Sequence, residues 1–449
     1  MKNIDMTVGN PTRNIFLFTL PIILNYILQQ FYALADTMIV GLALGAEAVT
    51  GINLTGSLSF LVLGFSQGCS AGFGILLSQF VGAKNDEKIK KSFAASIVLT
   101  LIISLILSVV SVVFSRDILK ILKTNELYIE YAHSYISAIF SGILFSMFYN
   151  LVSQVMLAFG DGQTPLYILI ISAVLNLALN SLLFVFDLSV AWAGWATVIA
   201  QGVSAVIGLI LILKRLPILR LKKADFNFSL RFALKHLAIG LPMAFQFSIT
   251  AIGCMIQQRA FNLFPPQYSM AQGTGGKISG LIDSGVLKAF GVAMATYCGQ
   301  NYGAKRLDRI RQGMKSAVIV GGGIMLSSMA LVIGLSYPIS NALLPSVGQE
   351  VYDLVFKYVL IHASMYLFLA LIYTFRESLQ GMGKSLTATI GGIIELLARV
   401  ICSFTIAKIS FDWACFSNPT AWISAGLFFV IVFFVNLRRE ERKTSNEKL

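Results

Sequence analysis

Long apolar runs follow one another along this chain, separated by short clusters of charged residues and of Gly, Pro, Asn and Asp. A helix needs about 20 predominantly apolar residues to cross the hydrocarbon of a bilayer. Twelve runs read as such spans: 14–41, 50–80, 91–114, 127–159, 164–186 and 190–213, then 236–263, 270–300, 312–336, 350–380, 385–409 and 414–437. The first opens on Leu20-Pro21 and carries Asp36 and Thr37 near its far end. Proline inside a helix removes a hydrogen bond and kinks the axis, so Pro21 is expected to act as a hinge. Between spans four and five, Gly160-Asp161-Gly162-Gln163-Thr164-Pro165 reads as a tight turn with Pro165 just inside the next helix. It lacks the spacing and the lysine of a phosphate loop.

The chain also repeats itself. Leu20-Pro21 falls on Leu241-Pro242, a shift of 221 positions, and the same shift lays Gln79-x-x-Gly82-Ala83-Lys84 on Gln300-x-x-Gly303-Ala304-Lys305. Glu87-Lys88-x-Lys90 then falls on Asp308-Arg309-x-Arg311, Gly160-x-Gly162 on Gly381-x-Gly383, and Trp192-Ala193 on Trp413-Ala414. Six spans per half return the chain to the side it started from, so the repeat is parallel, with its axis along the membrane normal. The expected organisation is an N-terminal six-helix lobe (1–213), a basic cytoplasmic linker (214–235), a C-terminal six-helix lobe (236–437) and a cytoplasmic tail (438–449). Two such lobes with a cavity between them, one rocking against the other, is a transporter architecture.

Composition agrees with the spans. Of 449 residues 56% are hydrophobic and only 12% charged, with a mean hydropathy of +0.78, whereas soluble domains are about 25% charged. The fold class is therefore all-α polytopic membrane protein. The net charge of +13 is not a nucleic-acid footprint, because the basic residues occupy alternate loops. One set of loops holds Lys84–Lys91, the stretch 214–235, Lys305–Lys315, Lys384 and the tail from Arg438 to Lys448; the other offers only Arg116, Lys120, Lys123 and Lys408. The positive-inside rule then puts both termini in the cytoplasm. Lys2, Arg13 and Ala33-Leu34-Ala35 imitate a cleavable secretory signal. The apolar run is too long for one, is interrupted by Pro21, Asn25, Gln29 and Gln30, and has a repeat partner in mid-chain. The five cysteines lack metal-site spacing and read as buried small hydrophobes. His133, His236 and His362 are scattered, and no hydrolase or metalloprotease motif is present.

Polar side chains at membrane depth are costly and mark function by default. Low dielectric favours the protonated form of a carboxylate, which makes Asp36 a candidate proton or Na⁺ site; a hydrated interfacial aspartate is the plainer alternative. Tyr32 stands one turn earlier on the same face, placed to hydrogen-bond it. Asn176 and Asn180 share a face of span five, and Asn150 lies on span four. Alone, such amides read more simply as helix–helix glue than as ligands, although oxygen ligands suit a hard cation.

In the second half the 221-residue shift puts Gln257 at the position of Asp36, and Leu397 and Ile401 at those of Asn176 and Asn180. Instead that half carries Glu395 and Arg399, an i, i+4 pair that is either a structural ion pair or part of a substrate-facing surface. Lys277, Asp283 and Lys288 add charge to span eight at a spacing poor for mutual pairing, and Arg259 is expected to snorkel. With 33 Phe, 15 Tyr and 14 Met, a cavity lining suited to bulky organic cations is available.

Taken together, these features resemble the multidrug and toxic compound extrusion (MATE) family. The resemblance is carried by twelve spans in two parallel lobes, Leu-Pro opening spans one and seven, Gln-x-x-Gly-Ala closing spans two and eight, and the Gly160–Pro165 turn. Cys298-Gly-Gln-Asn-Tyr-Gly-Ala304 and Ile394-Glu-Leu-Leu-Ala-Arg399 are similar to Gram-positive bacterial members. The resemblance implies cation-coupled efflux of organic compounds with an essential aspartate on span one, matched by Asp36. It also implies ion-coupling roles for Asn176, Asn180, Thr197 and Tyr32, with possible Na⁺ ligation by Asp36, Asn176 and Asn180. Asn180 stands where the family motif has a second acid, so this pocket holds one carboxylate rather than two. Asn150, Gln257, Glu395, Arg399, Lys277 and Asp283 are the candidate cavity or substrate residues.

The expectation is a monomeric antiporter in the bacterial cytoplasmic membrane, exporting amphipathic, cationic organic compounds against inward H⁺ or Na⁺. No cofactor and no nucleic acid are expected. The alternatives are a flippase for lipid-linked saccharides, favoured by Lys277, Lys288 and Arg399, and a membrane-embedded enzyme.

Overall fold

The computed structural model describes residues 3–121, 124–186, 188–345, 347–406 and 409–446; Lys2, Lys123, Lys408 and Lys448 lie outside them. In hydrocarbon the backbone must satisfy its own hydrogen bonds, and the described residues are helical almost throughout. The first half comprises α1 (Pro11–Leu54), α2 (Gly56–Gly82), α3 (Asp86–Ile121), α4 (Glu126–Ser141), α5 (Ile143–Ala158), α6 (Gln163–Asn180) and α7 (Ala191–Arg215). The second comprises α8 (Leu230–Phe261), α9 (Pro266–Gly280), α10 (Lys288–Gly303), α11 (Leu307–Leu343), α12 (Gln349–Ser364), α13 (Tyr366–Gly381), α14 (Ser385–Phe404), α15 (Phe411–Cys415) and α16 (Ser417–Asn446). Ten segments are long and apolar enough to cross a membrane, and the bent pairs α4/α5 (53°) and α12/α13 (46°) supply two more. Twelve spans result, six per lobe.

Three departures from regular helix are not visible in the apolar pattern. Span four bends at Gly142, where a Cβ would lie 2.2 Å from Val198 Cγ2, so only glycine lets α7 approach this closely. Span eight is interrupted by a π-helical segment, Leu281–Leu287, that joins α9 to α10. The third lies in α1, whose backbone leaves helical geometry at Gly45 (φ 84°, ψ 179°), beyond Asp36, while Pro21 stands inside the helix. Glycine reaches positive φ without the steric cost of a Cβ.

The chain forms two compact units: residues 1–5 with 28–248, and residues 6–27 with 249–449. Each half thus lends the start of its first span to the other unit, and the two crossing points, Leu28 and Ile249, are 249 − 28 = 221 residues apart. The 214–235 stretch, expected as a linker, lies inside the first unit. Small residues explain the exchange there: a Cβ on Gly68 or Gly72 of α2 would fall 2.6 Å from the Ala244 backbone or 2.4 Å from that of Gly240. Such close approach is how membrane helices gain packing where lipid offers no hydrophobic drive. In the second unit the starting segment is held by polar groups. The guanidinium of buried Arg309 donates to the carbonyls of Met6, Val8 and Gly9 at 3.1–3.2 Å, and Met6 N–H donates to Gln300 Oε1 at 2.9 Å.

Helix packing repeats between the units: α2 on α5 and α5 on α7 in the first correspond to α10 on α13 and α13 on α16 in the second. The register of the repeat is not constant. α2 and α10 end 303 − 82 = 221 residues apart, but α4/α12 and α5/α13 begin and end 223 apart, for example 349 − 126. Positive φ falls at Gly160 and Gly383, also 223 apart. This corrects the alignment of Gly160 with Gly381. The chain gains two residues between spans two and four, which an ungapped shift cannot register.

Candidate functional site

In the first unit α1, α6 and α7 bring four of the expected residues together. Asn180 Nδ2 donates to the carboxylate of Asp36 and to Asn176 Oδ1 at 3.1 Å. Asn176 Nδ2 in turn donates to Thr197 Oγ1 at 3.0 Å, and the Thr197 hydroxyl donates to the Ala193 carbonyl at 3.1 Å. The i, i+4 spacing of Asn176 and Asn180 makes this relay possible, and Trp192 Nε1 ties α7 back to the Leu179 carbonyl at 2.8 Å. Both asparagines are fully buried, whereas Asp36 is half-buried. Tyr32 lies within electrostatic reach of Thr197 and of the Asp36 carboxylate. Asn150 is half-buried on α5, and among the described residues no hydrogen bond draws it into the relay.

One atom of this cluster is unsatisfied: Asn180 Oδ1 is buried without a hydrogen-bond partner. Buried polar atoms are almost always paired. An orphaned acceptor beside a carboxylate is completed by a positive group, either a proton carried on Asp36 or a hard cation with oxygen ligands. The donor set of one carboxylate and amide oxygens therefore fits H⁺ or Na⁺ as cargo.

The second unit holds a different polar cluster. Arg399 Nη2 donates to Glu395 Oε1 at 2.5 Å, and the two side chains are 5% and 8% exposed. Arg399 Nε also donates to Asn418 Oδ1 on α16 at 3.0 Å. Asn418 Nδ2 faces His362 Nε2 at 3.4 Å, while His362 Nδ1 donates to the Tyr358 carbonyl at 3.0 Å. Gln257, buried on α8, donates to Ser417 Oγ at 2.8 Å. Of the span-eight charges, Lys277 is exposed on α9 and Asp283 lies in the π segment. Lys288 Nζ sits 5.1 Å from the Tyr26 ring centroid. The sequence reading missed Asn418, His362 and the largely buried Arg376–Glu377 pair (3.1 Å). The adjacent opposite charges inside span ten were the signal available for that pair.

The matching of Asn176 and Asn180 to Leu397 and Ile401 is overturned. Leu397 and Ile401 are 53% and 62% exposed, on the outer face of α14. With the 223-residue register, buried Ser172, Asn176 and Asn180 fall on buried Glu395, Arg399 and Ser403.

A helical membrane protein of two six-span lobes, each with a buried polar cluster, is a secondary transporter by architecture. The MatE family model matches residues 21–182 and 242–405; the chain belongs to this family and works by alternating access, which sets aside the embedded-enzyme alternative. It is similar to the probable multidrug resistance protein YoeA of Bacillus subtilis (25% identical, covering 89% of each chain). It is also similar to YpnP of the same organism, another probable multidrug resistance protein (28% identical, 69% of each). Among solved structures, a transporter of the MOP superfamily from Pyrococcus furiosus shares the fold with a TM-score of 0.90 at 16% identity, over 98% of this chain and 99% of that one.

Proposed function

We propose that the protein is a cation-coupled antiporter that exports amphipathic organic compounds, with H⁺ or Na⁺ entering at Asp36. The observation that carries this reading is the relay ending on Asp36 together with the orphaned acceptor of Asn180. Cation arrival changes the bond between Asp36 of α1 and Asn180 of α6. Coupling follows if ion and substrate prefer different states of that contact. Both Bacillus relatives are named as probable multidrug resistance proteins, which supports drugs as the substrate class. Both termini are assigned to the cytoplasm by the basic loops, and the functional unit is taken as a monomer that needs no nucleic acid.

The test is ethidium efflux from whole cells with the Na⁺ and H⁺ gradients collapsed one at a time, comparing wild type with Asp36→Asn. Asparagine keeps an acceptor for Asn180 but cannot release a proton or compensate Na⁺, so protein yield is retained and gradient-driven efflux is lost. Wild-type efflux in the mutant would refute the assignment. The second reading, a flippase for lipid-linked saccharides, draws on the membrane-depth cations Lys288, Arg376 and Arg399. It predicts export of a pyrophosphate lipid and no ethidium efflux under any gradient.

A further inference from the structure

The two polar clusters are versions of one design. On spans five and six of the first unit, Asn176 bonds Thr197 across α6 and α7; on spans eleven and twelve of the second, Arg399 bonds Asn418 across α14 and α16. The positions correspond: 399 − 176 = 223, the register of α6 with α14, and 418 − 197 = 221. The latter is the register of the last span, where buried Ala193, Ala196, Val198 and Ala200 fall on buried Ala414, Ser417, Pro419 and Ala421. Gln257 stands at the place of Asp36, 257 − 36 = 221, and bonds Ser417, the neighbour of Asn418. The acid has moved from span seven to Glu395, one turn from Arg399 on α14. The first cluster is thus a carboxylate with amide and hydroxyl oxygens and, among the described residues, no ion-paired cation. The second is a carboxylate and an amide oxygen, those of Glu395 and Asn418, with a guanidinium already bound between them.

We infer that the second unit contains a cation site of the same design as the first, permanently filled by the side chain of Arg399. The inference rests on the reading of Asp36 as the exchangeable site. A tethered guanidinium has no exchange step and, unlike an ammonium or a carboxylic acid, does not lose its proton at any physiological pH. The transporter therefore takes one coupling cation per cycle, through its first unit alone. Removing the guanidinium while keeping Glu395 should leave the Glu395 carboxylate and the Asn418 amide oxygen facing a vacant position, with Gln257 and Ser417 bonded to each other beside Asn418. Those oxygens suit an alkali cation.

The experiment measures the thermal unfolding midpoint of purified full-length protein in detergent, with Na⁺ replacing choline at constant ionic strength. Asp36→Asn is the parent, so the first site is silent. Asp36→Asn with Arg399→Gln is expected to acquire a Na⁺-dependent rise of a few degrees. The rise should be absent from the parent, from the triple variant that adds Glu395→Gln, and from Asp36→Asn with Arg399→Lys, which keeps a tethered charge. A merely structural ion pair predicts lower midpoints and no Na⁺ response, and that result would overturn the inference. Failure of the Asp36 reading shows separately, as gradient-driven ethidium efflux that persists in Asp36→Asn. If the Gln variant does not survive purification, Arg399→Ala is prepared with methylguanidinium. Recovery of monodisperse protein that depends on methylguanidinium and on Glu395 supports the filled site, and no recovery refutes it.

Discussion

Glu395 and Arg399 offer a test in which charge, not volume, decides the outcome. Their side chains are 8% and 5% exposed and meet at 2.5 Å, so neither ion has water to replace its partner. Breaking a buried pair from one side costs about 3–5 kcal/mol, whereas exchanging both members for apolar residues of similar volume is often close to neutral. The two single variants should also differ from each other. Glu395→Leu strands a guanidinium that cannot be neutralised; Arg399→Met strands a carboxylate that can take up a proton. Glu395→Leu should therefore carry the full penalty, Arg399→Met a smaller one, and the double variant about 1 kcal/mol or less. The assay is the fraction of detergent-solubilised protein that remains monodisperse by size exclusion after heating, read at a series of temperatures. The expected order of stability is wild type close to the double variant, then Arg399→Met, then Glu395→Leu. A double variant as unstable as Glu395→Leu would refute mutual charge compensation and assign the cost to Asn418 and the surrounding packing.

Three further predictions concern named contacts. Asn180→Leu removes the donor to Asp36 and should lower gradient-driven ethidium efflux more than Asn176→Ala, which lies one bond further along the relay; the reverse order would contradict it. Gly142→Ala places a methyl 2.2–2.4 Å from both γ-methyls of Val198, an overpacking worth about 1–3 kcal/mol. Val198→Ala in the same chain should recover most of the lost thermal stability. Arg309→Ala releases three backbone carbonyls of the starting segment, and charge-assisted hydrogen bonds contribute about 1.5–3 kcal/mol each. Trypsin cleavage at exposed Arg13 should then accelerate by at least about tenfold, and unchanged cleavage would mean that the segment is held elsewhere.

Twelve spans and their grouping into two repeats were legible in the sequence because both follow from local rules. Hydrocarbon demands long apolar helices, and the repeat survives in loop motifs such as Gln79–Lys84 and Gln300–Lys305 that keep one spacing. Asp36, Asn176 and Asn180 were also legible, since an acid or amide stands out against an apolar run and an i, i+4 pair shares a face. Three features depended on tertiary contacts. The bend at Gly142 answers to Val198, more than fifty residues away. The exchange of starting segments between units depends on Gly68 and Gly72 meeting Ala244 and Gly240. The equivalence of Asn176 with Arg399 rests on a two-residue change of register revealed by the bounds of the bent helix pairs, the positive φ at Gly160 and Gly383, and the burial of α6 and α14. Sequence by itself determined which segments are helical, because backbone hydrogen bonding and transfer to lipid act residue by residue. Which faces meet, and hence that a guanidinium in one unit stands where an amide stands in the other, was decided by packing, because helix rotation is set by the neighbour and not by the helix's own residues.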